Sequence, residues 1–168
     1  MLNSDEMRFA IEDARTRHEA VVNLVNATDQ QAIALLSLYV TLGLAVASGF
    51  IGSIVQPAIV PPDFAVPLFV ATAGLVAGAF MCFKTVETSK INLPGRQADF
   101  WIWADTGTDV TQEYAYRKYL ENLASKQALN NDLNARTAAR LALARKIGVF
   151  TPFLASVAAV IVAVWRAF

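Results

Sequence analysis

The fold is decided by two apolar runs, AIALLSLYVTLGLAVASGFIGSIV at 32–55 and FAVPLFVATAGLVAGAFMCF at 64–83, folded back on each other around QPAIVPPD at 56–63. Neither run contains Asp, Glu, Lys, Arg or His. Each holds about 20 residues or more, and at about 1.5 Å per residue such a helix crosses a hydrocarbon core about 30 Å thick. A buried helix of a soluble domain rarely stays apolar for that length, and not twice in succession. A third apolar run, 147–165, repeats the pattern near the C-terminus. The sequence therefore predicts an all-α integral membrane protein with three transmembrane helices.

Working outward, the chain divides into five parts. Residues 1–31 read as an N-terminal helix continuous with the first span, and 32–85 as a transmembrane hairpin with spans at about 32–55 and 64–84. A turn-rich Trp segment follows at 86–109, then a long helix at 110–146 and the third span at 147–168. Composition supports this division. The chain is 55% hydrophobic with 17% charged residues and a mean hydropathy of +0.41, and its charges avoid the three runs. Such segregation marks a membrane protein with a substantial aqueous part. The formal net charge is zero, which argues against a nucleic-acid partner. The single cysteine, Cys82, excludes an intrachain disulfide framework and reads as a small packing residue. The polar, acidic start of the chain has no signal-peptide pattern.

Orientation follows from where Lys and Arg fall. The 56–63 connection has none, the N-terminal segment has Arg8, Arg15 and Arg17, and the region 84–146 has ten. The positive-inside rule places the N-terminus and 86–146 in the cytoplasm and the C-terminus on the outer side of the membrane. Trp165 and Arg166 suit the far interface as a ring and a snorkelling charge.

Ser4 before Asp5 and Glu6 is a helix-start signal, with a capping hydroxyl and acids at the positive dipole end. Beyond it Met7, Ile11, Ala14, His18, Val21, Val25, Thr28 and Ala32 form a heptad stripe running into the first span. One helix over about 5–55 is expected. His18 has no second histidine to pair with and reads as a core residue. The 110–146 segment, rich in Ala, Leu, Glu, Lys and Arg, predicts a second long helix that bends near Gly148 and Pro152. Residues 1–31 carry three basic against six acidic side chains, and 84–146 carry ten against seven. That opposition favours docking of the two helices as a cytoplasmic stalk.

The spans carry small residues four apart: Ala45, Gly49 and Ser53; Gly74 and Gly78; Ala155, Ala159 and Ala163. Such faces let backbones approach, either within one chain or in a homo-oligomer. Without an intramembrane ionisable residue, and with Pro67 and Pro152 near span beginnings, an ion-coupled transporter is disfavoured. A pore that forms on oligomerisation or lipid disruption stays open.

Two segments carry candidate binding residues. Between the Pro94-Gly95 and Asp105-Thr106-Gly107 turn signals lie Arg96, Trp101 and Trp103, which either anchor the chain at the interface or offer a cation and stacking rings to a nucleotide. On the long helix, Tyr116, Leu120 and Leu123 begin a stripe that turns polar at Gln127, Asn130 or Asn131, and Asn134. Asn130 and Asn134 set helix register, bind a small polar ligand, or face water. No Walker loop, GxGxxG, HExxH, CxxC or GxSxG is present, and nothing points to catalysis or a bound cofactor. Asp99, Asp105 and Asp109 lack calcium-loop spacing and read as solvated turn acids, so no metal site is expected.

The order of helix, Ala27-Thr28-Asp29-Gln30-Gln31-Ala32 opening a span, hairpin, Leu93-Pro94-Gly95-Arg96 with Trp, long helix and last span resembles the Pycsar-type transmembrane effectors (PycTM) of bacterial antiphage signalling. It is more distantly similar to SLATT-like two-span effectors. Those proteins open the first span with Asp-x-Lys-Ala; Asp29 and Ala32 match, with Gln31 in place of the lysine. The resemblance implies an inner-membrane effector gated by a cyclic nucleotide, which oligomerises and permeabilises the membrane to arrest growth. The competing expectation is a membrane scaffold or accessory subunit whose stalk binds a protein partner. A phage holin fits less well, since holins rarely carry so large a cytoplasmic part.

Overall fold

The computed structural model describes residues 4–87 and 91–168, apart from the side chain of Ser4. The expected Ser4 cap and the sequence at 88–90 lie outside the described residues. Among the described residues all regular structure is helical: α1 (Ser4–Val55), a 3₁₀ turn (Pro62–Phe64), α2 (Ala65–Val86), α3 (Ala98–Thr106) and α4 (Gln112–Ala167).

Each boundary has a local cause. Asp5 and Glu6 occupy the first turn of α1, where negative charge meets the positive end of the helix dipole. The helix stops at Val55, because Pro57 disfavours helical geometry at the residue before it. Pro67 falls in the first turn of α2, where a missing N–H breaks no helical bond. Thr111 Oγ1 accepts the Tyr114 N–H at 3.2 Å and caps the start of α4. Gly95 takes a positive φ of 102°, a conformation that glycine adopts without the penalty a Cβ brings.

α3 is a finding beyond the sequence reading, which placed only turns and an aromatic cluster between 86 and 109. Nine residues free of Gly and Pro separate Gln97 from Gly107, enough for two turns of helix. Pro152 lies, as expected, near the start of the last apolar stretch. It lies inside the continuous α4, and it deprives the Gly148 carbonyl of its helical N–H donor.

The described residues fall into two compact units. One contains α1 up to Ala27, the α2–α3 connection, α3, and α4 up to Arg136. The other contains α1 from Thr28, α2, and α4 from Thr137. The heptad stripe read on α1 is its inward face: Met7, His18, Val25 and Ala32 are buried, while Ile11, Ala14, Val21 and Thr28 are half-buried. The stripe continues to Tyr39. On α4 the same period recurs at Leu123, Asn130, Thr137, Ala144 and Thr151, all buried.

In the second unit three helices are long and apolar enough to cross a membrane, with mean hydropathies of 2.0, 2.1 and 2.4 over their most apolar stretches. At most 22% of any of these stretches is buried within the chain, so most of their apolar surface suits a lipid environment. Their core is Tyr39, Leu75, Cys82 and Ala144. Tyr39 wedges between α2 and α4: a Cβ on Gly78 would lie 3.0 Å from its ring, and a Cβ on Gly148 would overlap its hydroxyl. That hydroxyl donates to the Ala144 carbonyl at 2.7 Å. Gly74 makes the same kind of room for Thr151, and Gly49 faces Leu68. The Gly74–Gly78 pair and Gly49 thus serve packing within the chain, while Ala155 and Ala159 are half-buried.

Charges bracket the spans. Arg140 Nη1 donates to the Lys84 carbonyl at 2.8 Å, satisfying an open carbonyl in the last turn of α2. Arg145 Nη2 donates to Gln31 Oε1 at 2.6 Å. Arg166 pairs with Asp63 at 2.6 Å. Asp63 and Lys84, and likewise Arg145 and Arg166, are 21 residues apart, a rise of about 32 Å along a helix, close to the thickness of a hydrocarbon core.

The wedge gives a test. Gly148→Ala lowers stability in detergent by about 1–3 kcal/mol through overpacking, and Tyr39→Phe by about 1 kcal/mol through loss of the hydroxyl bond. In a double-mutant cycle read by thermal unfolding, Gly148→Ala costs less on the Tyr39→Phe background, since the overlapping hydroxyl is gone. Additive losses would contradict the wedge.

Candidate functional site

The site is built on an irregular strip of backbone, residues 91–97, whose peptide groups cannot satisfy one another. α4 and α1 satisfy them instead. Asn130, fully buried on α4, accepts the Asn92 N–H through Oδ1 at 3.0 Å and donates from Nδ2 to the Asn92 carbonyl at 2.9 Å. Both edges of one side-chain amide are thereby matched to one residue's backbone, which also fixes the amide's orientation. The fully buried His18 of α1 places Nε2 2.7 Å from the same carbonyl. A carbonyl only accepts, so the proton is on Nε2, and the 3.2 Å approach of Asn130 Nδ2 to that nitrogen is a packing contact. His18 Nδ1 is buried and has no hydrogen-bond partner among the described residues. One turn earlier on α4, Lys126 Nζ donates to the carbonyls of Leu93 at 3.1 Å and Gly95 at 2.8 Å.

This latch sets Arg96 and α3 against α4. The Arg96 guanidinium lies 4.6 Å from the centre of the Phe100 ring, a cation–π separation. Its Nε is buried without a hydrogen-bond partner among the described residues. Phe100 meets Trp101 edge-on at 5.1 Å and Trp103 at 5.4 Å, and Trp101 meets the buried Tyr119 at 5.7 Å. Trp103 reaches Tyr114 at 6.2 Å. The Trp101–Tyr119 and Trp103–Tyr114 pairs dock the short α3 onto α4, each adding about 0.5–1.5 kcal/mol beyond its buried area.

An open cavity of about 450 Å³ results, lined by Arg96, Gln97, Asp99, Phe100, Trp103, Asn122 and Lys126. Two cations face one carboxylate across it, beside two aromatic rings and two amides. That donor set suits an anion with an attached planar group, because guanidinium and ammonium bind phosphate oxygens and a ring stacks on a base. A second cavity, of about 500 Å³, is lined by both signs of charge along α1, including Arg8, Glu12, Arg15 and Glu19, together with Trp101, Tyr116 and Tyr119.

The five candidate ligand residues are therefore distributed. Arg96 and Trp103 share the first cavity and Trp101 borders the second. Asn130 belongs to the latch, with its amide matched to the Asn92 backbone. Asn134 is half-buried one turn further along α4 and lines neither cavity. Asp29 lies in the other unit, with a buried Oδ1 that has no hydrogen-bond partner among the described residues. The sequence reading missed Lys126, Asn122 and Asn92. The available signal was Lys126 four residues before Asn130, on the face that meets the Pro94-Gly95 turn. Among the described residues no three His, Cys, Asp or Glu side chains are grouped as metal ligands. Comparison with protein-family profiles, characterised proteins and solved structures gives no match for this chain.

Removing the latch tests its role. Asn130→Ala leaves the Asn92 N–H without its partner and lowers stability by about 2–3 kcal/mol, measured by guanidinium unfolding of the full chain in detergent. Asn131→Ala, on an exposed neighbour, stays within about 0.5 kcal/mol of the parent. Equal effects would refute the latch.

Proposed function

We propose that the chain is a bacterial membrane effector. Its α3-containing unit binds a nucleotide-class anion, and its three spans respond by changing the permeability of the cell membrane. The observation that carries this reading is the cavity joining Arg96 and Lys126 to the rings of Phe100 and Trp103. Its volume falls within the range of small-ligand sites. The resemblance to Pycsar-type effectors supports a cyclic nucleotide as the anion and defence against phage as the setting. The distribution of Lys and Arg supports a cytoplasmic stalk and an outward C-terminus in the inner membrane.

The coupling we propose is thermodynamic. A ligand shifts a two-state assembly only by its differential affinity for the two states. A change from 1:99 to 99:1 needs about 5.5 kcal/mol, within reach of a few charge-assisted hydrogen bonds at about 1.5–3 kcal/mol each. The strip that carries Arg96 is braced by α1 through His18 and by α4 through Asn130 and Lys126. Both of those helices continue as spans. In the active state, spans of several copies associate and open the membrane.

A second reading, a scaffold binding a protein partner, is favoured by the mixed-charge cavity at Trp101, which suits a peptide bearing both signs of charge. Membrane potential separates the two readings. In bacteria expressing the chain beside a panel of cyclic mono- and dinucleotide synthases, one synthase triggers depolarisation and growth arrest. Arg96→Ala raises the ligand requirement by about 10- to 100-fold, while Asn131→Ala does not. Depolarisation without any synthase, or unchanged in Arg96→Ala, refutes the nucleotide assignment. Silence with every synthase selects the scaffold.

A further inference from the structure

The unit that holds the three spans contains a recess of about 600 Å³, walled by Leu35, Leu38, Leu42, Leu75, Val149 and Pro152, with Arg145 as its one charged lining residue. Its walls offer almost nothing to a polar ligand. The Tyr39 hydroxyl that borders it is already bonded to the Ala144 carbonyl. Resting on the membrane reading of these helices, the recess lies at the depth of lipid chains.

Filling an apolar recess gives a lipid chain little advantage over the surrounding bilayer, because lipid tails are as apolar as the recess walls. Selection must come from the headgroup, and here the charge is one-sided. Among the described residues of this unit, Lys84, Arg140, Arg145 and Lys146 lie at the Arg145 ends of their apolar stretches with only Asp29 and Glu87 as acids there, and Glu87 is paired with Lys84. At the opposite end Asp63 and Arg166 neutralise each other. The hydrogen bond from Arg145 to Gln31 spends one donor and steadies a guanidinium that has others. An exposed arginine at the edge of an acyl-sized recess fits a phosphate bidentately.

We propose that this recess is a binding site for an anionic glycerophospholipid, with one acyl chain against Leu38 and Leu42 and the phosphate on Arg145. The lipid would fill the space beside the Tyr39 wedge and make the packing of α1 against α4 sensitive to membrane composition.

The test uses the full chain. Flotation with vesicles of phosphatidylcholine and phosphatidylglycerol comes first, and a chain that fails to float overturns the membrane reading itself. For the floating protein, native mass spectrometry from an equimolar mixture of the two lipids reads the retained headgroup. Phosphatidylglycerol is expected to be retained about fivefold over phosphatidylcholine, the effect of about one basic side chain at an anionic headgroup. Arg145→Gln abolishes the preference, while Arg117→Gln, the same charge change on an exposed residue of the other unit, keeps it. Leu38→Trp, which fills the recess from its wall, lowers retention of both lipids. Equal retention of the two lipids by the parent protein overturns the proposal without use of any variant. So does a preference that survives Arg145→Gln.

Discussion

An α-helix turns once every 3.6 residues, so a side chain stays against the same neighbour over many turns only when buried positions recur every seven. Both long helices obey that constraint. His18, Val25, Ala32 and Tyr39 hold it on α1, and Leu123, Asn130, Thr137, Ala144 and Thr151 hold it on α4. What differs along each seam is the chemistry placed on it. Where the chain leaves helix at 91–97, the seam positions are His18 and Asn130, and they satisfy exposed peptide groups. Where the chain is apolar, the seam positions are Tyr39, Ala144 and Thr151, and they pack against glycines and backbone. One periodicity thus serves a polar latch in one unit and close helix packing in the other.

The latch explains why the Arg96 cavity forms where it does. A seven-residue strip with a Pro-Gly turn would be free to move if its carbonyls faced water. Asn130, His18 and Lys126 hold four of its backbone polar groups, and Arg96 then follows a fixed backbone onto the Phe100 ring. The same fixation that stabilises the unit also holds a cation beside aromatic surface, the kind of preorganisation that the proposed anion binding would use. In the spans the corresponding device is the Tyr39 wedge, which needs Gly78 and Gly148 together.

Much of this was legible in the residues because it depends on period and charge. The spans follow from the exclusion of ionisable side chains, and the inward face of α1 from its heptad stripe, residue for residue. α3 was not legible, since nine residues between two turn signals are too few to display a helical period. Arg96 and Trp103 could be picked out as a cation near an aromatic, but their partners Asn122 and Lys126 lie more than 18 residues away in an ordinary polar helix. Asn130 could be read as a buried amide. Its partner could not, because pairing with a backbone peptide leaves no mark on the partner's residue type. Tyr39 was hidden for a related reason: within an apolar run its ring reads as one more hydrophobic group, and only the glycines on two other helices reveal where its hydroxyl goes.

The central claim is that three apolar helices cross a membrane, with the latch and the Arg96 cavity on the cytoplasmic side. Cysteine labelling tests it most directly, on a Cys82→Ser background, with single cysteines introduced at the exposed Ile59 in the hairpin turn and the exposed Leu129 on α4. A membrane-impermeant maleimide added to intact bacterial spheroplasts is predicted to label Ile59→Cys at once and Leu129→Cys only after lysis. Labelling of both before lysis, or the reverse pattern, would contradict the account.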